Sequence, residues 1–247
     1  MSKLSGKTAI VTGSSRGIGA GIARRLAADG AAVAVNYAGS GDAARAVAKA
    51  ITDAGGKAVV VQADLSTAAG VTKLFDESEQ GLGKIDILVN NAGVFDMAAI
   101  ADVTEAHYDK LFDVNVKGVT LAMAAAGKRL RDGGRIINIT SQIARWVMPG
   151  ASVYSATKAA VEQLTRIAAI DLGARRITVN AVAPGTTATE MLMSGMTDDV
   201  MRQMVAATAL GRLGEPADIA DVVAFLASED ARWVTGAIVD ANGGLKV

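Results

Sequence analysis

Apolar segments of strand length alternate with amphipathic helical stretches along the chain, and this alternation limits the possible folds more than any other feature. The strand-length segments are rich in Val and Ile without polar alternation, as expected for strands covered on both faces. The predicted strands are Thr8–Thr12, Ala32–Tyr37, Ala58–Gln62, Ile85–Asn90, Arg135–Thr140, Thr178–Val182 and Ala237–Val239. The predicted helices are Ile18–Ala28, Asp42–Ala54, Ala68–Glu79, Glu105–Arg131, Ser152–Leu172 and Ala217–Ala227. The pattern predicts an α/β fold with a doubly wound, seven-stranded parallel sheet and helices on both faces.

A single domain is predicted for residues 1–247, because no repeat, linker or low-complexity segment interrupts this alternation. One segment departs from it. Residues 184–214 are rich in Met, Thr and Gly and contain a helical patch, Asp198–Ala207. Such an excursion late in an α/β domain is typical of a substrate lid, which we place at about residues 185–214. The lid methionines are Met191, Met193, Met196, Met201 and Met204.

Composition excludes several classes of function. The 25 basic residues balance 25 acidic ones, so no electrostatic footprint for nucleic acid or an anionic membrane is expected. The chain has no cysteine and one histidine, so we expect no thiol chemistry and no metal site built on these side chains. Residues 1–7 lack the apolar run of a signal peptide, and no run of about 18 apolar residues occurs. We therefore expect a cytoplasmic protein.

Glycines follow the first predicted strand and open the first predicted helix. Gly13, Gly17 and Gly19 have the spacing Gly-x-x-x-Gly-x-Gly, with Ser15 and Ile18 between them. A phosphate group needs close backbone, free N–H groups and a helix N-terminus, and glycines at a strand-to-helix turn provide all three. A tight turn alone would also explain the glycines, but their place after the first strand favours a dinucleotide site.

The end of the second predicted strand indicates which dinucleotide binds. An NAD site usually has Asp or Glu here to hold the ribose hydroxyls, yet no carboxylate occurs between residues 29 and 42. Arg16 lies in the glycine loop, and Asn36, Tyr37 and Ser40 end the strand. A guanidinium and short polar donors accept a 2′-phosphate that a carboxylate would repel. We expect NADP(H) to be preferred over NAD(H); the alternative makes Arg16 a solvated loop cation.

Further polar segments follow the other predicted strands. Asp64-Leu65 follows the third strand and Asn90-Asn91-Ala92-Gly93 the fourth, at the edge where open α/β sheets place ligands. A carboxylate there can accept from an adenine amino group, and Asn91, Ala92 and Gly93 bring backbone close to a ribose. Taken singly, these are also ordinary loop residues.

The strongest local signal is Tyr154-Ser155-Ala156-Thr157-Lys158 on a predicted helix, with Ser141 just after the fifth strand. Residues four apart share a helix face, so the phenol and the ammonium point into one space. A nearby cation favours phenolate, which suits a proton donor and acceptor for an alcohol/carbonyl pair. A surface Tyr/Lys pair would show the same spacing.

Taken together, these motifs resemble the short form of the short-chain dehydrogenase/reductase family over essentially the whole chain. Its Thr-Gly-x-x-x-Gly-x-Gly motif matches Thr12 to Gly19, its Asn-Asn-Ala-Gly matches residues 90–93, and its Tyr-x-x-x-Lys matches Tyr154 and Lys158. The resemblance implies a Rossmann-like fold. Within the family, the chain is most similar to 3-oxoacyl-carrier-protein reductases and glucose 1-dehydrogenase-like enzymes.

The resemblance also implies roles for individual residues. Tyr154 would be the general acid in reduction and the base in oxidation, and Lys158 would lower its pKa and bind the nicotinamide ribose. Ser141 would position the substrate oxygen, and Asn115 would hold a water in a proton relay. The segment that holds the nicotinamide carboxamide would include Pro184, Gly185, Thr187 and Thr189. The family further implies a homotetramer, joined through the Ala-rich helices Glu105–Arg131 and Ser152–Leu172.

The predicted function is hydride transfer between NADP(H) and a small-molecule ketone or secondary alcohol, such as a 3-oxoacyl thioester. An alcohol or sugar dehydrogenase that works in the oxidative direction is one alternative. A dinucleotide-binding protein without turnover is another, although Asn115, Ser141, Tyr154 and Lys158 are all present.

Overall fold

One parallel sheet organises the molecule. In the computed structural model, which describes residues 2–190 and 197–245, seven strands lie in the order β3-β2-β1-β4-β5-β6-β7. They are β1 (Thr8–Val11), β2 (Ala32–Tyr37), β3 (Lys57–Gln62), β4 (Ile87–Asn90), β5 (Arg135–Ile139), β6 (Thr178–Pro184) and β7 (Ile238–Ala241). All pairs of neighbouring strands are parallel. The predicted doubly wound fold is confirmed, with strand ends shifted by one or two residues.

The helices cover both faces of this sheet. They are α1 (Gly17–Ala28), α2 (Gly41–Asp53), α3 (Ala68–Leu82), α4 (Glu105–Phe112), α5 (Val119–Arg129), α6 (Ser152–Asp171), α7 (Asp198–Ala206) and α8 (Pro216–Ala227). Side chains of α1, α2 and α8 build the apolar core on one face, and those of α3, α5 and α6 build the core on the other. Burial of the Val and Ile strands between these layers explains their unbroken apolar sequence. In the described part of the chain, no helix has the length and apolar character needed to cross a membrane.

The predicted helix Glu105–Arg131 is interrupted. Between α4 and α5 lies a π-helical segment, Asp113–Gly118, and Asn115 is fully buried within it. Gly118 ends this segment close to Leu65, since a Cβ on it would lie 2.6 Å from the Leu65 backbone oxygen. Single turns of π-helix often occur at functional sites. Here the turn carries Asn115 toward the carboxyl end of β4.

The strand order reverses between β1 and β4. After β1 the chain leads to β2 on one side of the sheet, and after β4 it leads to β5 on the other. The loops that follow β1 and β4 therefore separate and leave a crevice at the carboxyl ends of these strands. The glycine loop follows β1, and Asn91-Ala92-Gly93 follows β4. The fold therefore brings two of the predicted ligand-binding motifs to the one place where open α/β sheets bind ligands.

Candidate active site

Hydrogen bonds fasten the glycine loop to the Asn-Asn-Ala-Gly segment. The Thr12 hydroxyl accepts from the backbone nitrogens of Asn91 and Ala92, each at 2.9 Å. The Asn91 amide donates in return to the backbone oxygens of Thr12 and Gly13, at 2.9 and 3.0 Å. Asn91 therefore holds the loop in place with its side chain, while its neighbours present backbone to the crevice.

The space around two of the glycines explains why no side chain fits there. Gly13 has a φ of 59°, and a Cβ on it would lie 2.8 Å from Ala92 Cα. A Cβ on Gly19 would lie 2.4 Å from Asn91 Nδ2. Gly17 opens α1, Ser15 is half-buried, and Ile18 packs on the core. The bare N-terminus of α1 thus faces the crevice with the geometry that suits a phosphate.

Arg16 and Ser40 come together across the mouth of the crevice. The guanidinium of Arg16 lies 2.5 Å from the Ser40 hydroxyl, and Arg16 is exposed. Tyr37 is half-buried at the end of β2, and a Cβ on Gly41 would lie 3.1 Å from its hydroxyl oxygen. A cation and a hydroxyl at the end of β2, without a carboxylate between them, form a pair suited to a 2′-phosphate.

The structure corrects the predicted role of Asn36. Its side chain is 1% exposed, and its amide nitrogen donates to the backbone oxygens of Val61 and Ala63, each at 3.2 Å. Its amide oxygen accepts from the Gly13 nitrogen at 3.1 Å. With both donors used inside the protein, Asn36 has none to offer a phosphate. It links the glycine loop to β3 instead.

The remaining predicted cofactor residues lie at the same edge of the sheet. Asp64 is exposed, and its carboxylate accepts from the Ser66 nitrogen at 3.0 Å, whereas Leu65 is buried in the core. Pro184 ends β6, and the nitrogen of Gly185 donates to Ala241.

The start of the predicted lid bends back over the glycine loop. The Thr187 hydroxyl donates to the Gly185 oxygen at 3.1 Å, and the Thr189 methyl lies 3.3 Å from the position of a Cβ on Gly17. Met201 and Met204 lie on α7, which confirms the predicted helical patch. Met191, Met193 and Met196 fall outside the described residues.

Tyr154 and Lys158 share one face of α6, with Ser141 opposite them. The Tyr154 phenol is hydrogen-bonded to Ser141. The Lys158 ammonium lies 5.7 Å from the centre of the Tyr154 ring and donates to the Ile139 backbone oxygen at 3.0 Å. Lys158 is only 6% exposed, so these two side chains are not the surface pair that the sequence left open.

Burial dominates the titration of this pair. It raises the pKa of Tyr154 to about 12, and the Ser141 hydrogen bond offsets only part of that rise. It lowers the pKa of Lys158 to about 8. The phenol is thus protonated at neutral pH and able to donate. The sequence predicts a net lowering of the Tyr154 pKa, and this is wrong for the free protein, because burial raises it.

Asn115 fastens the loop after β4 to the helices. Its amide oxygen accepts from the Val94 nitrogen and its amide nitrogen donates to the Val94 oxygen, both at 2.8 Å. The amide nitrogen also lies 3.3 Å from the Thr157 hydroxyl. A Cβ on Gly93 would lie 3.2 Å from this amide and 3.5 Å from the Lys158 ammonium. Asn115 therefore lies near Lys158, and its side-chain amide is hydrogen-bonded to the backbone of the loop after β4. The role of Asn115 in a proton relay stays a prediction.

Comparison with known proteins identifies the family. Residues 13–246 match the family model described as enoyl-(acyl carrier protein) reductase. The chain is 54% identical to an uncharacterized oxidoreductase of Methylorubrum extorquens, over 100% of both chains. It superposes with a TM-score of 0.95 on the short-chain dehydrogenase/reductase of Serratia marcescens, which is 43% identical, over 99% of this chain and 100% of the other. The chain belongs to the short-chain dehydrogenase/reductase family.

A further family member has been solved with a dinucleotide. The angucycline C-6 ketoreductase LanV, with bound NADP, is 45% identical to the chain and superposes with a TM-score of 0.93. The match covers 98% of this chain and 96% of LanV. The relatives that it matches are named as oxidoreductases and reductases, so the chain is an oxidoreductase, and the bare helix end and close-fitting glycines described above fit a nicotinamide dinucleotide.

Sequence reasoning missed several residues that shape this short-chain dehydrogenase/reductase site. Asn138 on β5 accepts from Asn90 at 2.8 Å and donates to Thr165 at 2.9 Å, which ties α6 to the sheet. Phe95 packs with its ring perpendicular to that of Tyr154, with the ring centres 4.9 Å apart. A polar residue in an apolar strand could have indicated Asn138. Phe95 gave no such signal, because its loop has no periodicity.

Proposed function

We propose that this oxidoreductase reduces a ketone with NADPH, and that Tyr154 donates the proton. The observation that carries the proposal is the half-buried Tyr154, whose phenol is held by Ser141 beside the buried ammonium of Lys158, at the crevice of the sheet. A phenol with a pKa of about 12 stays protonated at neutral pH, so the free protein holds the form needed for reduction. LanV, a ketoreductase by its name, supports this direction.

The proposed reaction needs one hydride and one proton. When bound, NADPH would supply the hydride that reduces the carbonyl carbon. Ser141 donates a hydrogen bond to the carbonyl oxygen, and Tyr154 gives that oxygen its proton, so the ketone becomes a secondary alcohol. The ammonium of Lys158 stabilises the phenolate that remains. An oxidative alcohol dehydrogenase would use the same residues in reverse and require the phenolate first, which the raised pKa disfavours.

The residues proposed to hold the cofactor fall into six groups, one for each part of the dinucleotide. The glycine loop (Gly13, Ser15, Gly17, Ile18 and Gly19) would hold the pyrophosphate, and Arg16, Tyr37 and Ser40 the 2′-phosphate end. Asp64 and Leu65 would flank the adenine, and Asn91, Ala92 and Gly93 the riboses. Tyr154 and Lys158 would bind the nicotinamide ribose, and Pro184, Gly185, Thr187 and Thr189 the carboxamide. The Arg16–Ser40 pair supports a preference for NADP(H) over NAD(H).

Replacing Arg16 with Ala is expected to weaken NADPH binding and leave NADH binding nearly unchanged. A hydrogen bond to a charged group contributes about 1.5–3 kcal/mol, which corresponds to roughly 10- to 100-fold in affinity. Fluorescence titration of both nucleotides measures the effect. Arg24→Ala, at an exposed position two turns along α1, is the matched control. Tighter binding of NADH than NADPH by the unmodified protein would contradict the proposed preference.

Assembly as a homotetramer through α5 and α6 is also proposed. Ala122 and Ala126 are buried against the protein's own sheet, but Ala124, Ala156 and Ala159 are exposed on the same two helices. An open apolar groove of about 300 Å³ runs between α3 and α5 and is lined in part by Ala124. Small side chains allow helices of neighbouring subunits to approach closely.

Light scattering is expected to give four times the 25.1 kDa of one chain. Ala124→Arg places a long cation in the groove and should lower this mass, because the charge would have to be buried on assembly. The control Ala54→Arg, at an exposed position just after α2, should leave the measured mass unchanged. A monomeric mass for the unmodified protein at micromolar concentration would contradict the proposed assembly.

A further inference from the structure

An exposed aromatic ring stands beside the proposed proton donor. The rings of Phe95 and Tyr154 are perpendicular, with centres 4.9 Å apart, the edge-to-face arrangement that aromatic pairs favour. Even so, 41% of Phe95 is exposed. Since Tyr154 covers only part of this ring, the rest remains available beside the phenol.

Two anchors fix the position of Phe95 although its loop has no regular structure. On one side, Asn115 holds Val94 by two hydrogen bonds of 2.8 Å. On the other, the Ala98 nitrogen donates to the Gly150 oxygen at 2.9 Å. Only three residues lie between the two anchored residues, Val94 and Ala98, so the Phe95 ring cannot move far from Tyr154. A fixed ring loses little freedom when a ligand packs on it.

The surroundings of Phe95 are apolar as well. The link between Ala98 and Gly150 joins the loop after β4 to the loop before α6, and Met97 and Val147 on these loops are 47% and 85% exposed. The nearest charge on the Phe95 loop, Asp96, is paired with Lys110 at 2.7 Å. The rim beside the phenol therefore offers apolar and aromatic surface.

We propose that Phe95 determines specificity, favouring ketones whose carbonyl is attached to an aromatic ring. This rests on the proposed function, because a carbonyl within reach of the Tyr154 hydroxyl places its substituents beside Phe95. A saturated ring of equal size gains only apolar contact there, whereas an aromatic ring also gains a directional ring–ring contact. Such contacts correspond to about two- to tenfold in affinity.

Two ketones of the same bicyclic skeleton test this proposal. In 1-tetralone the carbonyl is attached to an aromatic ring, and in trans-1-decalone it is attached to a saturated one. The ratio of their kcat/KM values is measured with NADPH for the unmodified protein, Phe95→Leu, which removes the ring, and Phe95→Tyr, which keeps it. Phe225→Leu is the control, because Phe225 on α8 is similarly exposed at 45% and lies outside the site.

Phe95→Leu is expected to lower the ratio about two- to tenfold, and Phe95→Tyr and Phe225→Leu to keep it. An unchanged ratio in Phe95→Leu overturns the proposal. If neither of these ketones nor ethyl 3-oxobutanoate is reduced, the proposed function fails. The role of Phe95 is then decided by binding. The dissociation constants of 1-tetralone and trans-1-decalone from the NADPH-loaded protein are measured by calorimetry, and their ratio is compared between the unmodified protein and Phe95→Leu.

Discussion

Tyr154→Phe is expected to lower the rate of ketone reduction about 10²–10⁴-fold, the usual contribution of a general acid. The substitution removes the hydroxyl that is hydrogen-bonded to Ser141 and keeps the ring that packs against Phe95. The hydrophobic contacts of α6 should therefore persist. NADPH affinity should change little, because Lys158 and the glycine loop remain. Steady-state rates and a fluorescence titration of NADPH measure the two effects separately.

Tyr108→Phe is the control for this substitution. Tyr108 is 45% exposed on α4 and stacks on Phe112, so loss of its hydroxyl should leave the rate unchanged. A Tyr154→Phe protein that retained a tenth or more of the normal rate would remove Tyr154 from the mechanism. The buried pair would then have a structural role only.

Lys158→Met is expected to lower both turnover and cofactor affinity. Met keeps the length and apolar packing of the buried lysine but removes the charge beside Tyr154. The phenolate formed on proton donation then lacks its stabilising cation, so we expect a rate loss of at least about 10²-fold. The nicotinamide ribose also loses a proposed partner, so NADPH should bind more weakly, unlike in Tyr154→Phe. Lys49→Met, at an exposed lysine of α2, should change neither value.

The pH dependence of reduction should follow Lys158. Burial lowers the pKa of its ammonium to about 8, so the cation is present below that pH and is lost above it. The kcat/KM for reduction should be level at neutral pH and fall above about pH 8, since this parameter reports groups of the free enzyme. Tyr154, with a pKa of about 12, stays protonated throughout. In Lys158→Met the decrease of kcat/KM above about pH 8 should disappear. If the decrease persisted, it would have to come from the titration of another group.

Much of the fold could be predicted because its signals are local. Strands buried on both faces require unbroken apolar runs, and the helices between them show their own periodicity, so positions such as Ala32–Tyr37 were predicted to the residue. Parallel strands share one carboxyl edge. The placement of the glycine loop and of Asn91 at that edge was therefore predictable from the parallel direction of the strands.

The sequence could not predict how side chains near the site distribute their hydrogen bonds. Asn36 ends a strand, as a phosphate-binding residue does, yet its amide is used by Val61 and Ala63, which lie on or beside a neighbouring strand. The π-helical turn at Asn115 interrupts what the local pattern predicts as one continuous helix, Glu105–Arg131. Burial likewise decides the pKa of Tyr154, and the Tyr-x-x-x-Lys spacing shows only the neighbouring charge.

Transfer of deuterium from the cofactor tests the proposed ketone reduction most directly. The protein is incubated with each epimer of [4-²H]NADPH and either 1-tetralone or ethyl 3-oxobutanoate, and the alcohols are analysed by mass spectrometry. With one epimer, deuterium is expected on the carbinol carbon of at least one product, and the yield should fall at least about 10²-fold in Tyr154→Phe. No deuterated alcohol from either epimer, or equal yields from the unmodified protein and Tyr154→Phe, would contradict the proposed reaction.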